Sequence, residues 1–485
     1  MTSLETANVA AKEQLVYGLN DRPPFAEGLF VAIQHTFSIF VPIVAPGLII
    51  CGTLQINAVD TAYISGMALL ISAIATLVQS HTLHIPAFGN IPRTQIGTGL
   101  LTIQGTSFSY IGPLIAAGAT VKAAGNSPED ALPLMLGLSF FCSLITIFLS
   151  RFLHFTQKIF TPLVTGVVVV CIGLTLVKVG ITDMAGGVPA IDTPAFGSPM
   201  NVGLSLFVLA IVTFCSVSQN RFLRMGSIVI GLAVGYVASV FMGIIDLSDL
   251  GNLPLVNVPI PFKYGLKFNF PAFIPVAIVT VATMLECVGD ITATCMVTDE
   301  PITGGHYFQR IKAGILGDGV NTLLAPVLCT FPVTTMSQNN GLIKLTGVGS
   351  RYIAYYLAGI LAILGLFPIV GGFLQKIPAP VLGGATILMY GSIAVAGFNI
   401  LRTVEMDSRA STILGVSLAA ALGVTFVPEF LAQLPPLIKQ VFESGISTGA
   451  IVALLLNIFL PGRPPAPEME TEAVELAKEE LEELT

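Results

Sequence analysis

A block of side-chain amides interrupts an apolar part of the chain at Gln338-Asn-Asn-Gly-Leu-Ile-Lys-Leu-Thr-Gly347. A buried amide without a hydrogen-bond partner costs about 1–3 kcal/mol, and hydrocarbon provides no partner. This stretch therefore either satisfies a break in a membrane helix or meets a polar ligand. Lys344 lies where a half-helix nears the membrane surface, so we expect its ammonium group to extend to water rather than form part of a site.

The composition identifies the solvent around this stretch. Of 485 residues, 54% are hydrophobic and only 10% are charged, which excludes a water-soluble globule and predicts a polytopic membrane protein. Apolar stretches recur from Leu29 to Pro461 and predict an all-α protein with about fourteen membrane-spanning segments. Two stretches, 85–118 and 311–350, are broken by Gly, Pro and Thr. We expect non-helical pieces in both, beside one ordinary helix at 311–327.

The distribution of charge predicts how the chain is oriented in the membrane, and the cysteine pattern predicts whether disulfides form. Lys and Arg concentrate on alternate connections, which predicts that these connections and both termini face the cytoplasm. The residues before Leu29 lack the order of a secretory signal, and the acidic tail at 468–483 is expected to be a solvated helix or disordered. The seven cysteines show no CxxC pairing, so we expect no disulfide, no metal site and no cofactor.

An internal repeat relates two parts of the chain. Pro162-Leu-Val-Thr-Gly166, followed by Gly173, matches Pro380-Val-Leu-Gly-Gly384, followed by Gly391, and the offset from 162 to 380 is 218 throughout. Pro and Gly are common in membrane helices, so chance remains an alternative. About seven segments separate the two marks, which would make them enter the bilayer from opposite sides, as an inverted repeat demands.

Two short Thr-rich stretches lie upstream of these marks, Leu101–Phe108 and Phe331–Gln338, and neither is typical of an uninterrupted membrane helix. Backbone groups freed from a helix are tolerated only inside protein or beside a cavity. We therefore predict two short antiparallel strands, in the third and tenth segments, which meet near the membrane centre and each run into a half-helix.

Two carboxylates share one face of a predicted membrane helix. Glu286 and Asp290 are four residues apart, and Thr294 continues the same face. A charge at such depth costs about 2.5–3.5 kcal/mol on insertion scales. Either the pair is held at a helix interface by a lysine or by hydroxyl groups, or at least one member accepts a substrate or carries a proton. The second interpretation is favoured for Glu286, and for Asp290 both stay open.

Further polar residues fall inside predicted spans. Asp318, with Asn321 and Thr322 one turn on, either supports a site or hydrogen-bonds the amides of a broken helix. His35 in the first span is either a packing residue with a hydrogen bond or a proton relay.

The amide block resembles a known family. Residues 338–347 fit the signature (Gln/Glu/Pro)-Asn-x-Gly-x-x-x-x-Thr-(Arg/Lys/Gly) of the nucleobase-ascorbate transporters. Supporting stretches are Gln34-His35, Glu286-x-x-Gly-Asp290, Gly317-Asp318-Gly319, Asn20-Asp-Arg-Pro-Pro-Phe25 and Leu456-Asn-Ile-Phe-Leu-Pro-Gly462. The last two are similar to bacterial xanthine permeases in particular, and the resemblance covers about residues 20–462.

The resemblance implies an architecture and an assembly. It implies a seven-plus-seven inverted repeat in which a core domain moves like an elevator against a gate domain, homodimers that form through the gate, and coupling to protons in bacteria. The implied divisions are a cytoplasmic tail at 1–28, core at 29–155 (segments 1–4) and 251–372 (segments 8–11), gate at 156–250 (segments 5–7) and 373–462 (segments 12–14), and an acidic cytoplasmic tail at 463–485.

The resemblance also implies a substrate site. Glu286 would accept hydrogen bonds from ring N–H groups, and the Gln338 amide would pair with a neighbouring imide edge. Phe108 would stack on the base, unless it is an ordinary core residue. Asn339 would orient the site. Ser107 departs from the pattern, because the xanthine permeases nearest in sequence carry Asn there, and the shorter side chain leaves room for urate or another oxidised purine.

The expected function follows from these residues. Glu286 would couple the base to protons, with Asp318, His35 and Asp290 in support. We expect proton-coupled uptake of xanthine across the bacterial cytoplasmic (inner) membrane, with urate or a broader purine and uracil range as the alternative. An anion carrier of the related sulfate-transporter architecture fits less well, because the predicted site is acidic. The chain has no HExxH motif, no Walker loop and no GxSxG at the end of a predicted strand, so nothing indicates an enzyme, and no nucleic-acid partner is expected.

Overall fold

The structure is a computed structural model that describes residues 15–86, 94–151, 161–191, 193–220, 223–224, 227–245, 256–301, 304–336, 338–367, 376–402, 404–435, 438–439, 442 and 445–461. Fourteen α-helices lie within these residues: α1 Phe25–Leu54, α2 Ala58–Ser80, α3 Ile111–Ala123, α4 Ala131–Arg151, α5 Pro162–Met184, α6 Pro199–Ser216, α7 Ser227–Phe241, α8 Phe270–Val297, α9 Gly304–Val327, α10 Gln338–Thr346, α11 Ile353–Leu366, α12 Ala379–Leu401, α13 Ser408–Phe426 and α14 Gly445–Phe459.

Eight of these described helices are long and apolar enough to cross a membrane: α1, α2, α4, α5, α6, α8, α12 and α13. Shorter apolar helices are α7, α11 and most of α14. Helix α9 is not among the eight because it carries Arg310, Lys312 and Asp318. It begins at Gly304 and not at 311 as predicted. Its first turns tolerate a charge because Arg310 Nη1 donates to Glu300 Oε2 at 2.9 Å.

Four short strands lie between the helices: β1 Leu83–Ile85, β2 Thr94–Ile96, β3 Gln104–Thr106 and β4 Val333–Thr335. The two predicted strands are present as β3 and β4, which pair antiparallel with Gln104 opposite Thr335 and Thr106 opposite Val333. Each strand is followed by a short helix, α3 after a 3-10 turn and α10. The β1–β2 pair was not predicted, and its first strand is exposed.

The β3–β4 pair lies in tightly packed surroundings. The pairing extends through the Met336 N–H, which donates to Ile103 O at 2.9 Å, and the Ser107 N–H, which donates to Pro332 O at 2.9 Å. A Cβ atom added at Gly105 would collide with the Met336 side chain and lie 2.8 Å from Ile43 Cγ1. A larger residue at the middle of β3 therefore requires the Met336 and Ile43 side chains to move.

The two helices that carry the repeat marks pack antiparallel. Gly166 of α5 lies against Leu401 of α12, Gly173 lies against Ala394, and Gly180 lies against Ile387 and Tyr390. A side chain at Gly173 would collide with the α12 backbone, so the glycines allow the two helices to approach closely. The two helices that carry the repeat marks thus pack against each other, although the marks themselves do not meet.

Helix packing falls into two sets. In the first, α4 packs on α9, α2 on α11 and α1 on α11, and in the second, α5 packs on α12 and α14, and α6 on α12 and α7. The first set corresponds to the residues assigned above to the core and the second to those assigned to the gate. The division into two moving domains stays a prediction.

The segment before α1 holds the end of the signature stretch. The Val16 N–H donates to Gly347 O at 2.7 Å, and the Gly349 N–H donates to Tyr17 O at 2.9 Å. Gly347 has a φ of 69°, in the left-handed region that favours glycine. The left-handed backbone conformation at position 347 thus explains why the signature stretch ends in glycine.

Candidate functional site

Polar side chains of α9 hold the β3–β4 pair. Gln104 Nε2 donates to Asp318 Oδ1 at 2.8 Å, and Asn321 Nδ2 donates to Gln104 Oε1 at 2.9 Å. Thr322 Oγ1 donates to Val333 O at 2.8 Å, and so holds β4. These side chains are buried. Asp318, Asn321 and Thr322 therefore support the two strands. Sequence reasoning did not single out Gln104, although it is an amide in an apolar, Thr-rich stretch.

Asp290 connects α8 to the second broken segment. Its Oδ2 accepts a hydrogen bond from Thr335 Oγ1 on β4 at 2.8 Å. Thr294, one turn on, donates to Asn340 Oδ1 on α10 at 2.6 Å, and Asn340 Nδ2 donates to Asp290 O at 3.4 Å. The acid thus has a close partner and lies at a helix interface. Asn340 lies in the amide block, but it was not predicted as a site residue.

Glu286 lies one turn before Asp290 and has different surroundings. Its side chain is partly exposed, and among the described residues its one hydrogen bond comes from Ser109 Oγ, at a long 3.4 Å to Oε2. An ionised carboxylate has about four lone-pair sites. Most of the accepting capacity of Glu286 is therefore unused by the described residues.

The turn after β3 brings Ser107 and Phe108 next to this acid, since Ser109 follows them directly. The Phe108 ring is 7% exposed and packs edge-on against Tyr390 of α12, with ring centroids 5.9 Å apart and an interplanar angle of 76°. Ser107 Oγ is buried without a partner among the described residues. An aromatic face, an unpaired hydroxyl and a carboxylate with spare lone pairs thus lie at one place.

The start of α10 lies next to the segment that precedes β3. Asn339 Nδ2 donates to Leu101 O at 2.5 Å, which fixes α10 to the segment before β3, whereas Oδ1 has no partner in the described part of the chain. The side chain of Gln338 lies outside the described residues. Its backbone is the first residue of α10, the end of the helix that carries a partial positive charge, and the next N–H group, of Asn339, donates to Met336 O at 3.0 Å.

The remaining predicted residue, His35, is fully buried in α1. Its Nδ1 lies 2.9 Å from Val31 O of the same helix, and Nε2 has no partner within the described ranges. Among these residues no group of three or more His, Cys, Asp or Glu side chains could hold a metal ion. A cavity of about 350 Å³ lies elsewhere, between the N-terminal segment, α1 and the end of α10, and no predicted site residue lines it.

The arrangement can recognise a flat polar ring. Glu286 can accept from ring N–H groups, the positive end of the α10 dipole can attract ring carbonyls, and Phe108 offers an aromatic surface. Such a set of groups distinguishes molecules by their pattern of donors and acceptors, which an apolar pocket cannot do.

Comparisons with known proteins agree on a family. A family model described as a permease family matches residues 26–430. The xanthine permease XanQ of Escherichia coli strain K12 is 43% identical over 452 residues, which cover 93% of this chain and 95% of that protein. The xanthine permease XanP of the same strain is 40% identical over 467 residues, with coverage of 95% and 99%.

Solved structures share the fold. The transmembrane domain of a cyanobacterial bicarbonate transporter, BicA, aligns with a TM-score of 0.55 at 14% identity, covering 91% of this chain and 99% of that chain. The murine anion transporter Slc26a9 in its inward-facing state aligns with a TM-score of 0.57 at 10% identity, covering 90% and 68%. At these identities the likeness concerns the fold alone.

Proposed function

Because the chain belongs to the permease family of the nucleobase-ascorbate transporters, a multi-pass membrane family of transporters and not of enzymes, we propose that it takes up xanthine together with protons. One observation carries the proposal. Glu286 is a carboxylate inside a membrane helix, and its one hydrogen bond among the described residues is a long one from Ser109. A charged group held so incompletely at this depth is explained by a ligand or a proton.

Xanthine fits the donors and acceptors at this place. A purine dione alternates ring N–H donors with carbonyl acceptors. We propose that Glu286 accepts from two adjacent N–H groups, that Gln338 and the first N–H groups of α10 pair with the imide edge, and that Phe108 stacks on the ring. Asn339 positions α10 through its bond to Leu101 O. Xanthine as the substrate is also supported by the names of the two Escherichia coli relatives.

The proton is proposed to travel on Glu286. The acid binds a proton when the site loads from outside and releases it when the site opens to the cytoplasm, so that one electrochemical gradient drives accumulation of the base. His35, Asp290 and Asp318 are proposed to support this step by holding α1, α8, β3 and β4 in place. Asp290 and Asp318 have close hydrogen-bond partners, at 2.8 Å each, which suits that supporting role.

The architecture proposed for this transport is the seven-plus-seven inverted repeat. The fourteen described helices would be the fourteen segments, with α3 and α10 as half-helices behind β3 and β4, and with both termini in the bacterial cytoplasm. The core (29–155 and 251–372) would slide like an elevator against the gate (156–250 and 373–462), and the gate would form the homodimer contact. The antiparallel packing of α5 on α12 supports the repeat.

The likeness to a bicarbonate transporter raises an anion carrier as the second candidate. An anion site needs basic side chains or bare helix N-termini, and α3 and α10 do begin near the strands. Glu286 opposes an anion there, because two negative charges close together in a low-dielectric site repel each other strongly. The acid therefore favours the neutral base.

Transport assays separate these candidates. Purified protein in liposomes is given labelled xanthine, urate, uracil or sulfate, with an inward proton gradient, and with a protonophore as control. We expect gradient-driven accumulation of xanthine that the protonophore abolishes. Accumulation of urate in preference to xanthine would make urate the assigned substrate. Accumulation of sulfate with no purine transport would overturn the proposal.

A further inference from the structure

A second incompletely paired acid lies in α5, far along the chain from the residues used above. Asp183 is the last but one residue of α5 and is only 8% exposed. Its Oδ2 is buried and has no hydrogen-bond partner among the described residues. Leaving a carboxylate in this condition is costly, and more so in a membrane helix. The proposed transport cycle gives it no duty.

The side chain faces α12. Gly383 of α12 lies against it, since a Cβ atom added there would come 2.9 Å from Asp183 Cβ. One turn earlier on α5, Gly180 lies against the ring of Tyr390, where an added Cβ atom would be 3.1 Å from ring atoms Cδ2 and Cε2. The Tyr390 side chain is fully buried, and its hydroxyl lies near the Thr386 hydroxyl of the same helix but makes no hydrogen bond within 3.5 Å to the described residues.

These two groups complement each other. Asp183 and the residue that touches Tyr390, Gly180, lie one turn apart on the face of α5 that packs on α12, so the two unpaired groups share one interface. After a rotation of either side chain, a neutral carboxyl group could donate to the phenol oxygen, which an ionised carboxylate cannot do. A change in the protonation state of Asp183 can therefore change how Tyr390 is held.

The charged side chains on the described helices that pack on α5 do not neutralise this acid. Lys178, on α5 itself, donates to the backbone Thr425 O of α13. Glu286 and Asp290 belong to α8, which approaches α5 at the opposite end, where Gly289 lies near Thr165. The described residues of α6, α12 and α14 carry no charged side chain. Arg409 lies at the start of α13, at the opposite end from Thr425, and donates to Asn457 O of α14.

Tyr390 connects the acid to the candidate site. Its ring packs edge-on against Phe108, and Phe108 is one residue from Ser109, which donates to Glu286. A shift of Tyr390 therefore moves the aromatic wall on which the base is proposed to stack. This contact provides a physical route from the end of α5 to substrate affinity.

We propose that Asp183 is a proton-sensing positioning residue, which binds a proton from the outer side and then holds Tyr390 and Phe108 in the arrangement that binds the base. The inference rests on the proposed function and adds a second titrating group to it. No bond to the substrate is involved: one proton joins the carboxylate when external pH falls and leaves when it rises. Affinity from outside should therefore be high at low pH and lower at high pH.

The test compares the external KM for labelled xanthine at pH 5.5 and pH 8 in right-side-out membrane vesicles. The variant Asp183→Asn keeps the size and stays neutral at both pH values. We expect its KM to equal that of the parent at pH 5.5 and to be several-fold lower than that of the parent at pH 8. A linked group changes affinity by at most about tenfold per pH unit, so this range is wide enough.

Two further variants make the result decisive. Tyr390→Phe keeps the ring on Phe108 but removes the hydroxyl. It should therefore lower the ratio of the KM at pH 8 to the KM at pH 5.5 as much as Asp183→Asn does, and the double variant should lower this ratio no further. Ser417→Ala is the matched control, because it removes another fully buried hydroxyl without a described partner, in α13. It should keep the parental ratio of the two KM values.

The outcomes separate this inference from the proposed function. A parental KM ratio in Asp183→Asn and in Tyr390→Phe would overturn the sensing role while xanthine transport stands. If the unchanged protein carries no xanthine, the proposed function itself fails. If Asp183→Asn does not reach the membrane, Tyr390→Phe alone decides.

Discussion

Two polar regions next to the β3–β4 pair are satisfied to different degrees. In the first, called the rear region here, Gln104, Asp318 and Asn321 bond to one another at 2.8–2.9 Å, and Asp290 accepts from Thr335 at 2.8 Å. In the second, called the front region, Glu286 has one long bond at 3.4 Å among the described residues. Both regions hold acids in membrane helices. The number and length of their hydrogen bonds separate an acid that supports the fold from one that is available to a ligand.

Glu286→Gln gives the largest expected effect and tests the front region. The amide keeps the shape and its bond to Ser109, so we expect normal expression and thermal stability. It cannot take up a proton, and it presents a donor where ring N–H groups need an acceptor. Accumulation of xanthine against a gradient should be abolished. The readout is the steady-state internal concentration in liposomes with an imposed proton gradient.

Asp60→Asn is a suitable control for the loss of an acid. Asp60 pairs with Lys263 at 3.2 Å at the start of α2, away from the strands. Its loss should leave accumulation in place. Parental accumulation by Glu286→Gln would assign coupling to another residue and would remove the distinction between the two regions.

Gln104→Leu breaks the rear region. The change removes the partner of Asp318 and one partner of Asn321, and a buried group left unpaired costs about 1–3 kcal/mol, with more for a charged one. We expect a clear drop in melting temperature in detergent and low recovery from the membrane. Glu286→Gln should show neither. Equal stability of Gln104→Leu and the parent would mean that the buried bonds at this place contribute nothing to the fold.

Part of this contrast could be predicted from the sequence, and part could not. The break in two membrane segments was visible in their Thr-rich composition, and so were Glu286 and Asp318, because a charge in an apolar stretch stands out. The partners were not visible. Gln104 meets Asp318 across 214 positions, and Ser109 meets Glu286 across 177. Only the fold brings such residues together.

Local structure produced smaller surprises for a related reason. The β1–β2 pair and the backbone pairing of residues 16 and 17 with residues 347 and 349 depend on contacts between separate parts of the chain, for which hydropathy carries no signal. The early start of α9 depends on the Arg310–Glu300 contact, which hydropathy counts as two penalties although the two charges compensate each other.

Phe108→Ala tests the aromatic part of the front region with a moderate effect. Stacking on a base is worth about 1–3 kcal/mol, which corresponds to a five- to 150-fold rise in KM. Phe108→Tyr should stay within a few-fold of the parent, because it keeps the ring. If Phe108 is only a core residue, Phe108→Ala will lower the melting temperature and the amount of protein without a change in KM for the protein that remains.

Ser107→Asn gives the smallest expected effect and asks how specific the front region is. Ser107 Oγ is buried without a described partner, so the position has spare hydrogen-bonding capacity next to Phe108. A larger amide there fills the room that we expect at the imidazole edge of the base and offers that edge a donor. Discrimination from a single contact of this kind amounts to about 1–3 kcal/mol.

The measurement for Ser107→Asn is the inhibition of xanthine uptake by unlabelled urate. We expect the ratio of the urate Ki to the xanthine KM to rise about tenfold, with uptake of xanthine itself little changed. Ser107→Ala serves as the control, since it keeps the room and removes only the hydroxyl, and its ratio should stay near that of the parent. If Ser107→Asn and Ser107→Ala give the same ratio, the space beside residue 107 does not select the base. Specificity would then depend on the amide groups at the start of α10.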